Sequence, residues 1–207
     1  NISNFLIKRF IELFGLLTSI LSILLLISLL SYYPEDPNFI FPDNTEIKNI
    51  LGFRGSFVSD LFFQSLGLIS ILIPISLFFT GINIIRSKQI FLSSYYVFIK
   101  ILTQLITNLF YIILYSIIGS LFFAIYYPES FWLTINGNGG FIGKLLSETF
   151  LTSLVNLNKQ IAYYFLVISI STLFLISINL NIPWFFSLIK KLIIKLFSKK
   201  NKTINYN

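Results

Sequence analysis

From Phe14 to Tyr33 the chain carries no charged residue, and Pro34-Glu35-Asp36-Pro37 follows at once. At 1.5 Å rise per residue this run is about 30 Å long as a helix, enough to cross the hydrocarbon core of a bilayer. In lipid only a helix satisfies every backbone donor and acceptor within such a run. Pro34 and Pro37 stop the helix, and two adjacent carboxylates return the chain to water. Gly15, Thr18, Ser19 and Ser22 recur at helical spacing, a narrow seam where a second helix can approach closely. The apolar core is too long for a secretory signal, and no small-x-small cleavage site follows it.

Three more runs repeat the pattern. Leu61–Ile85, Ile101–Tyr127 and Ile161–Ile178 are each free of charge. The spans are therefore placed at approximately 12–33, 61–85, 101–127 and 161–178, within a membrane domain covering 1–182. Pro74 should kink the second, and Gly67, Ser70 and Gly81 are candidates for close helix contacts. The third ends in an aromatic group, Tyr126, Tyr127, Phe131 and Trp132, of the kind found at a membrane interface. After the turn-forming Gly137-Asn138-Gly139-Gly140, residues 141–157 read as one amphipathic helix lying at the membrane surface or dipping partly into it. Its apolar face carries Ile142, Leu145, Leu146, Phe150, Leu154 and Leu157.

The basic residues fix an expected orientation. One side collects Lys8, Arg9, Arg86, Lys88, Lys100 and the tail lysines 190, 191, 195, 199, 200 and 202, against the single acid Glu12. The other collects Lys48, Arg54, Lys144 and Lys159, against Glu35, Asp36, Asp43, Glu46, Asp60, Glu129 and Glu148. The positive-inside bias places both termini in the cytoplasm. Residues 183–207 form a basic cytoplasmic tail or the start of a linker, whose lysines oppose Phe185, Leu188, Ile189, Leu192, Ile193, Leu196 and Phe197 as in an interfacial helix. The fold class is thus an all-α membrane protein of four transmembrane helices, with an amphipathic helix before the fourth span and a basic amphipathic C-terminal segment.

The absence of Cys and His removes disulfides, thiolate nucleophiles, imidazole bases and nearly all transition-metal sites. No Met stands at position 1, so the chain reads as beginning downstream of an initiator. No charged side chain lies deep within the predicted spans, where a transporter or intramembrane enzyme would need one. Gln64, Asn83, Gln104 and Asn108 lie towards span ends and read as bonds between helices. Gly143-Lys144 fails as a phosphate loop, because Asn138 and Leu145 occupy positions that need Gly and Ser or Thr. Glu35 and Asp36 read as a solvated turn on which nothing else converges. No catalytic, cofactor-binding or metal-binding residue is assigned, and no cofactor is expected.

Two segments carry a resemblance to a known family. Leu30-Ser31-Tyr32-Tyr33-Pro34-Glu35-Asp36-Pro37-Asn38 is similar to a Ser-Tyr-x-Pro-x-Asp-Pro-Ser segment, and Asn138-Gly139-Gly140-Phe141-Ile142-Gly143 to a Gly-Gly-x-x-Gly segment. With the four-span spacing, these resemble the N-terminal membrane domain of the FtsK/SpoIIIE DNA translocases over roughly residues 10–182. The motif positions are Ser31, Tyr32, Pro34, Asp36, Pro37, Gly139, Gly140 and Gly143. Asn38 stands where the family often has Ser. The resemblance implies an inner-membrane anchor at the division septum, serving cell division and chromosome partition. It also implies homo-oligomerisation, contacts with other division proteins, and access to double-stranded DNA only through a motor domain. No P-loop occurs in these 207 residues, so the chain reads as a non-enzymatic piece cut at Asn207 or a motorless relative. A small transporter or channel subunit is the alternative.

Overall fold

The computed structural model describes residues 2–37, 46–87 and 94–179, together with Lys190. Four helical passes are long and apolar enough to cross a membrane: Phe5–Leu30, Gly52–Arg86, Ile99–Tyr126 and Lys159–Ile178. The chain is an all-α, multi-pass membrane protein. Its helices are α1 (Ile2–Leu30), α2 (Gly52–Leu66), α3 (Leu72–Ser87), α4 (Ser94–Tyr126), α5 (Gly140–Ser147), α6 (Phe150–Leu157) and α7 (Lys159–Ile178), with a 3-10 segment, Gly67–Ile71, joining α2 to α3. Apart from Lys190, the tail expected at 183–207 lies outside the described residues.

The second pass begins nearer to Gly52 than to the expected Leu61. Asp60 had marked the water boundary, yet it is buried inside α2, where hydrogen bonds let a helix carry it. The pass of 35 residues would exceed a core of about 30 Å at 1.5 Å per residue, so part of it projects beyond the apolar layer. The break at Gly67–Ile71 also changes the role of Pro74. Instead of kinking one long helix, Pro74 occupies the first turn of α3, where the missing N–H costs no helical bond.

Helix α1 runs along α3, and α4 runs along α7. At the first contact a Cβ on Gly15 would lie 2.8 Å from the Gly81 carbonyl, and a Cβ on Gly81 2.9 Å from the Ser19 amide nitrogen. The predicted seam is therefore filled within one chain. Ile11, Ile84 and Ile101 form a small core near the end that carries the N-terminus. Ile69, Ile73, Ile112 and Tyr115 form the central one, and Leu29, Phe63 and Leu133 another towards the loops. Phe122, Val155 and Leu166 close the far side.

Polar side chains stitch these helices together. The Ser76 hydroxyl lies 3.1 Å from the Tyr115 hydroxyl and 2.8 Å from that of Ser177, linking α3, α4 and α7 in one network. Asn108 donates to Thr80 Oγ1 at 3.1 Å, and Asn83 to the Ile178 carbonyl at 3.0 Å. Such bonds matter in lipid, because the apolar surroundings give no preference for helix over tail. The outward faces are apolar: Phe10, Leu21, Ile113 and Phe165 are 70%, 63%, 58% and 67% exposed. In water this would be a severe aggregation hazard, and in a bilayer it is the solvated surface.

The amphipathic stretch 141–157 is two helices instead of one. Thr149 adopts an extended backbone and caps α6 by accepting the Leu151 amide at 3.3 Å. Phe150, Leu154 and Leu157 point outward, as expected of a segment lying at an interface.

Candidate functional site

The motif positions gather at one end of the bundle, where residues 31–37, 46–51 and 127–139 close over the helices. Pro34 and Pro37 end the regular chain after α1, and the turn brings Asp36 back under the loop. Asp36 is 1% exposed. Its two carboxylate oxygens accept the amides of Lys48 and Asn49, each at 2.8 Å. The expected solvated turn is therefore corrected for Asp36. Irregular backbone at 46–49 leaves amides without helical partners, and a buried carboxylate supplies both acceptors. Glu35 remains exposed.

Asn49 carries the latch further. Its side-chain Nδ2 donates to the Ser28 carbonyl at 2.9 Å and the Ser31 carbonyl at 3.2 Å, satisfying the last turn of α1. Ser31 Oγ accepts the Ile50 amide at 3.2 Å. Ser28 Oγ donates to the Gly55 carbonyl at 2.6 Å, and Ser56 Oγ to the Pro37 carbonyl at 2.9 Å. Small hydroxyl residues here let α1 and α2 approach closely. Lys48 rests its ammonium 3.7 Å from the centre of the Tyr33 ring.

The second motif works through its glycines. Gly140 has φ +65°, a conformation that disfavours a side chain, and a Cβ there would meet the Leu66 backbone at 2.8 Å. The Leu68 amide donates to the Asn138 carbonyl at 2.9 Å, so the glycine turn plugs the break between α2 and α3. Gly139 and Gly143 lie against Ser120 and Ala124 of α4, where a Cβ on Gly139 would stand 2.6 Å from the Ser120 carbonyl. Ser120 Oγ in turn donates to the Leu66 carbonyl at 2.7 Å. Backbone packing, with no phosphate geometry, is what this cluster provides.

A polar relay joins the two motifs. Tyr32 donates to Asp60 Oδ1 at 3.1 Å, and Gln64 donates to the same oxygen at 3.3 Å. Asn136, next to the glycine turn, donates to Gln64 Oε1 at 3.1 Å. Burial first, then the Asp60 carboxylate, pushes the Tyr32 phenol pKa well above its ordinary value. The Tyr32 ring packs on Phe63 with centroids 4.9 Å apart. Sequence reasoning singled out Ser31, Tyr32, Asp36 and the glycines but missed Ser28, Asn49, Ser59, Asp60 and Asn136. A usable signal existed in the Asn49-x-x-Gly52 turn and the small residues Gly55, Ser56 and Ser59 at helical spacing.

Among the described residues no three His, Cys, Asp or Glu side chains come together as a metal site. The hydrogen-bonded carboxylates hold backbone and side-chain donors, which is the chemistry of a scaffold. Of the polar residues near span ends, Gln64, Asn83 and Asn108 do bond between elements. Gln104 does not share that role among the described residues.

No curated protein and no solved structure matches the chain. A family profile described as the 4TM region of DNA translocase FtsK/SpoIIIE matches residues 7–186. That interval takes in all four helical passes and both motif segments of the latched loop end, and the chain belongs to the family of FtsK/SpoIIIE four-transmembrane regions.

Proposed function

We propose that this chain is the membrane anchor of an FtsK-like DNA translocase in a bacterial inner membrane, positioned at the division septum. The observation that carries the reading is the coincidence of the family match, residues 7–186, with a helical body in which Ser76, Tyr115 and Ser177 bond three helices together. Its mechanism is mechanical: interhelical hydrogen bonds and close glycine contacts resist the load that a motor would apply. The motor would join at the lysine-rich end, which the positive-inside bias puts in the cytoplasm. Double-stranded DNA would then be reached through the motor. The latched loop end would face outward, where division proteins are available as partners.

A fluorescent protein fused after Asn207 tests the reading in dividing cells. A band at the constriction in most dividing cells is expected. Uniform peripheral fluorescence would overturn the septal role, and soluble fluorescence would overturn anchoring itself. A transporter reading finds no comparable support, since Ser76, Tyr115 and Ser177 fill the central contact with one another.

A further inference from the structure

Between the turn that follows α1 and the segment 131–135 lies a cleft of about 620 Å³, lined throughout by described residues. Tyr32, Tyr33, Phe131 and Trp132 supply aromatic walls, and Asp60 and Gln64 line it from α2. Asp60, 6% exposed, marks its inner end, and Phe131, 84% exposed, its mouth.

Only one oxygen of the Asp60 carboxylate is used. Tyr32 and Gln64 both donate to Oδ1, and both are uncharged donors. Among the described residues Oδ2 accepts no hydrogen bond, and no Lys or Arg forms an ion pair with Asp60. Ser116 Oγ is the one sealed side-chain polar atom without a partner among the described residues. Asp60 Oδ2 is therefore not sealed, and it opens on the cleft that Asp60 lines. A carboxylate withdrawn from water is costly unless a cation meets it. Aromatic walls favour the same kind of guest, since ring faces attract cations. One of these rings already holds an ammonium: Lys48 Nζ stands 3.7 Å from the centre of the Tyr33 ring.

We propose that this cleft binds the primary ammonium of an aminophospholipid headgroup, as in phosphatidylethanolamine, with Asp60 Oδ2 as its acceptor. The ammonium donates to Oδ2 and lies among the aromatic rings, which compensates the buried charge. Lys48, beside the Tyr33 wall, is the cation for the adjoining phosphate. The depth of the mouth favours a lipid over a soluble guest. Leu30, at the end of α1, is exposed, as are Phe131, Trp132 and Ile135 at the rim. An apolar and aromatic rim of this kind belongs at the boundary between headgroups and acyl chains. A headgroup reaches such a mouth by diffusing within the leaflet, whereas a basic side chain of a soluble partner would have to cross the rim from water.

The inference rests on the passes lying in a bilayer and not on the septal role, so its failure would leave the anchor reading intact. The delipidated chain in detergent is titrated with phosphatidylethanolamine, phosphatidylcholine and phosphatidylglycerol of identical acyl chains, and native mass spectrometry counts each complex. Phosphatidylethanolamine should bind about 10-fold or more tightly than the other two. A trimethylammonium cannot donate to Oδ2, and a glycerol headgroup carries no cation. Asp60→Asn should erase that preference, a loss of about 10- to 100-fold, the range of one hydrogen bond to a charged group. Its binding of phosphatidylglycerol should stay as in the parent. Trp132→Ala leaves Asp60 and its two donors in place and should weaken the ethanolamine lipid about 2- to 5-fold. Gel filtration in detergent confirms that each variant is folded. Equal binding of the three lipids would overturn the proposal, as would a preference that survives Asp60→Asn. Should Asp60→Asn not fold, an undiminished preference in Trp132→Ala would overturn it alone. Binding of a soluble oligolysine peptide, with none of the lipid, would overturn it in favour of a protein partner.

Discussion

Asp36 shows how one side chain can hold a loop that has no regular structure of its own. Two backbone amides would lose their acceptors in Asp36→Ala, and buried donors left unsatisfied cost more than the bonds themselves returned. The expected loss is about 3 kcal/mol, read as a lower unfolding midpoint in detergent or bicelles. Asp36→Asn keeps one acceptor and should lie between. A midpoint unchanged in Asp36→Ala would dismiss the latch. Glu35→Ala, on the exposed neighbour, should stay within about 0.5 kcal/mol. Tyr32 makes a complementary statement through pH. Because its phenol pKa is raised in the folded chain, the folded state keeps a proton that the unfolded state sheds. Its contribution is intact below the ordinary tyrosine pKa of about 10 and is lost as pH climbs above it. Tyr32→Phe should flatten that alkaline loss, and an identical alkaline decline in both proteins would contradict the assignment. The carboxylates' adjacency in sequence said nothing of this, because acceptance by Lys48 and Asn49 depends on how the intervening loop returns.

At the scale of elements, glycine sets how closely helices approach. Gly81→Leu would drive a side chain into Gly15 and Ser19, and separating α1 from α3 should cost about 3 kcal/mol. Gly67 has a different task. With φ +75° and the Asn138 backbone against it, Gly67→Ala adds both left-handed strain and a clash. It should loosen the glycine turn selectively, seen as faster hydrogen exchange at the Leu68 amide, which donates to Asn138. Unchanged protection there would show that the turn does not depend on the break. The existence of the four helices was readable from local hydropathy. The break at Gly67–Ile71 was not, since the Leu68 amide takes its acceptor from the distant Asn138, and the split at Thr149 rests on a local cap that the apolar periodicity over 141–157 does not register. The burial of Asp60 was unreadable for the same reason. Its charge reads as solvent-facing until Tyr32 and Gln64 are seen to hold it.

For the molecule as a whole, the Ser76–Tyr115–Ser177 network should behave as one unit. Tyr115→Phe ought to cost about 1 kcal/mol, with little further loss when Ser177→Ala is added. Fully additive losses would mean that the hydroxyls act separately. Topology has its own check: Thr45→Cys and Lys200→Cys should be labelled by an impermeant thiol reagent from opposite sides of the membrane. Labelling of both from one side would break the arrangement on which the anchor depends. By itself the sequence determined the number of passes and the family, because transfer into lipid is a nearly additive sum over neighbouring residues and needs no knowledge of partners. Only the tertiary structure decided that Asp36 is a buried latch, that Gly15 meets Gly81 and that Asn136 reaches Gln64. Hydrogen bonds and close contacts depend on distances between residues far apart in the chain, and no local periodicity carries those distances.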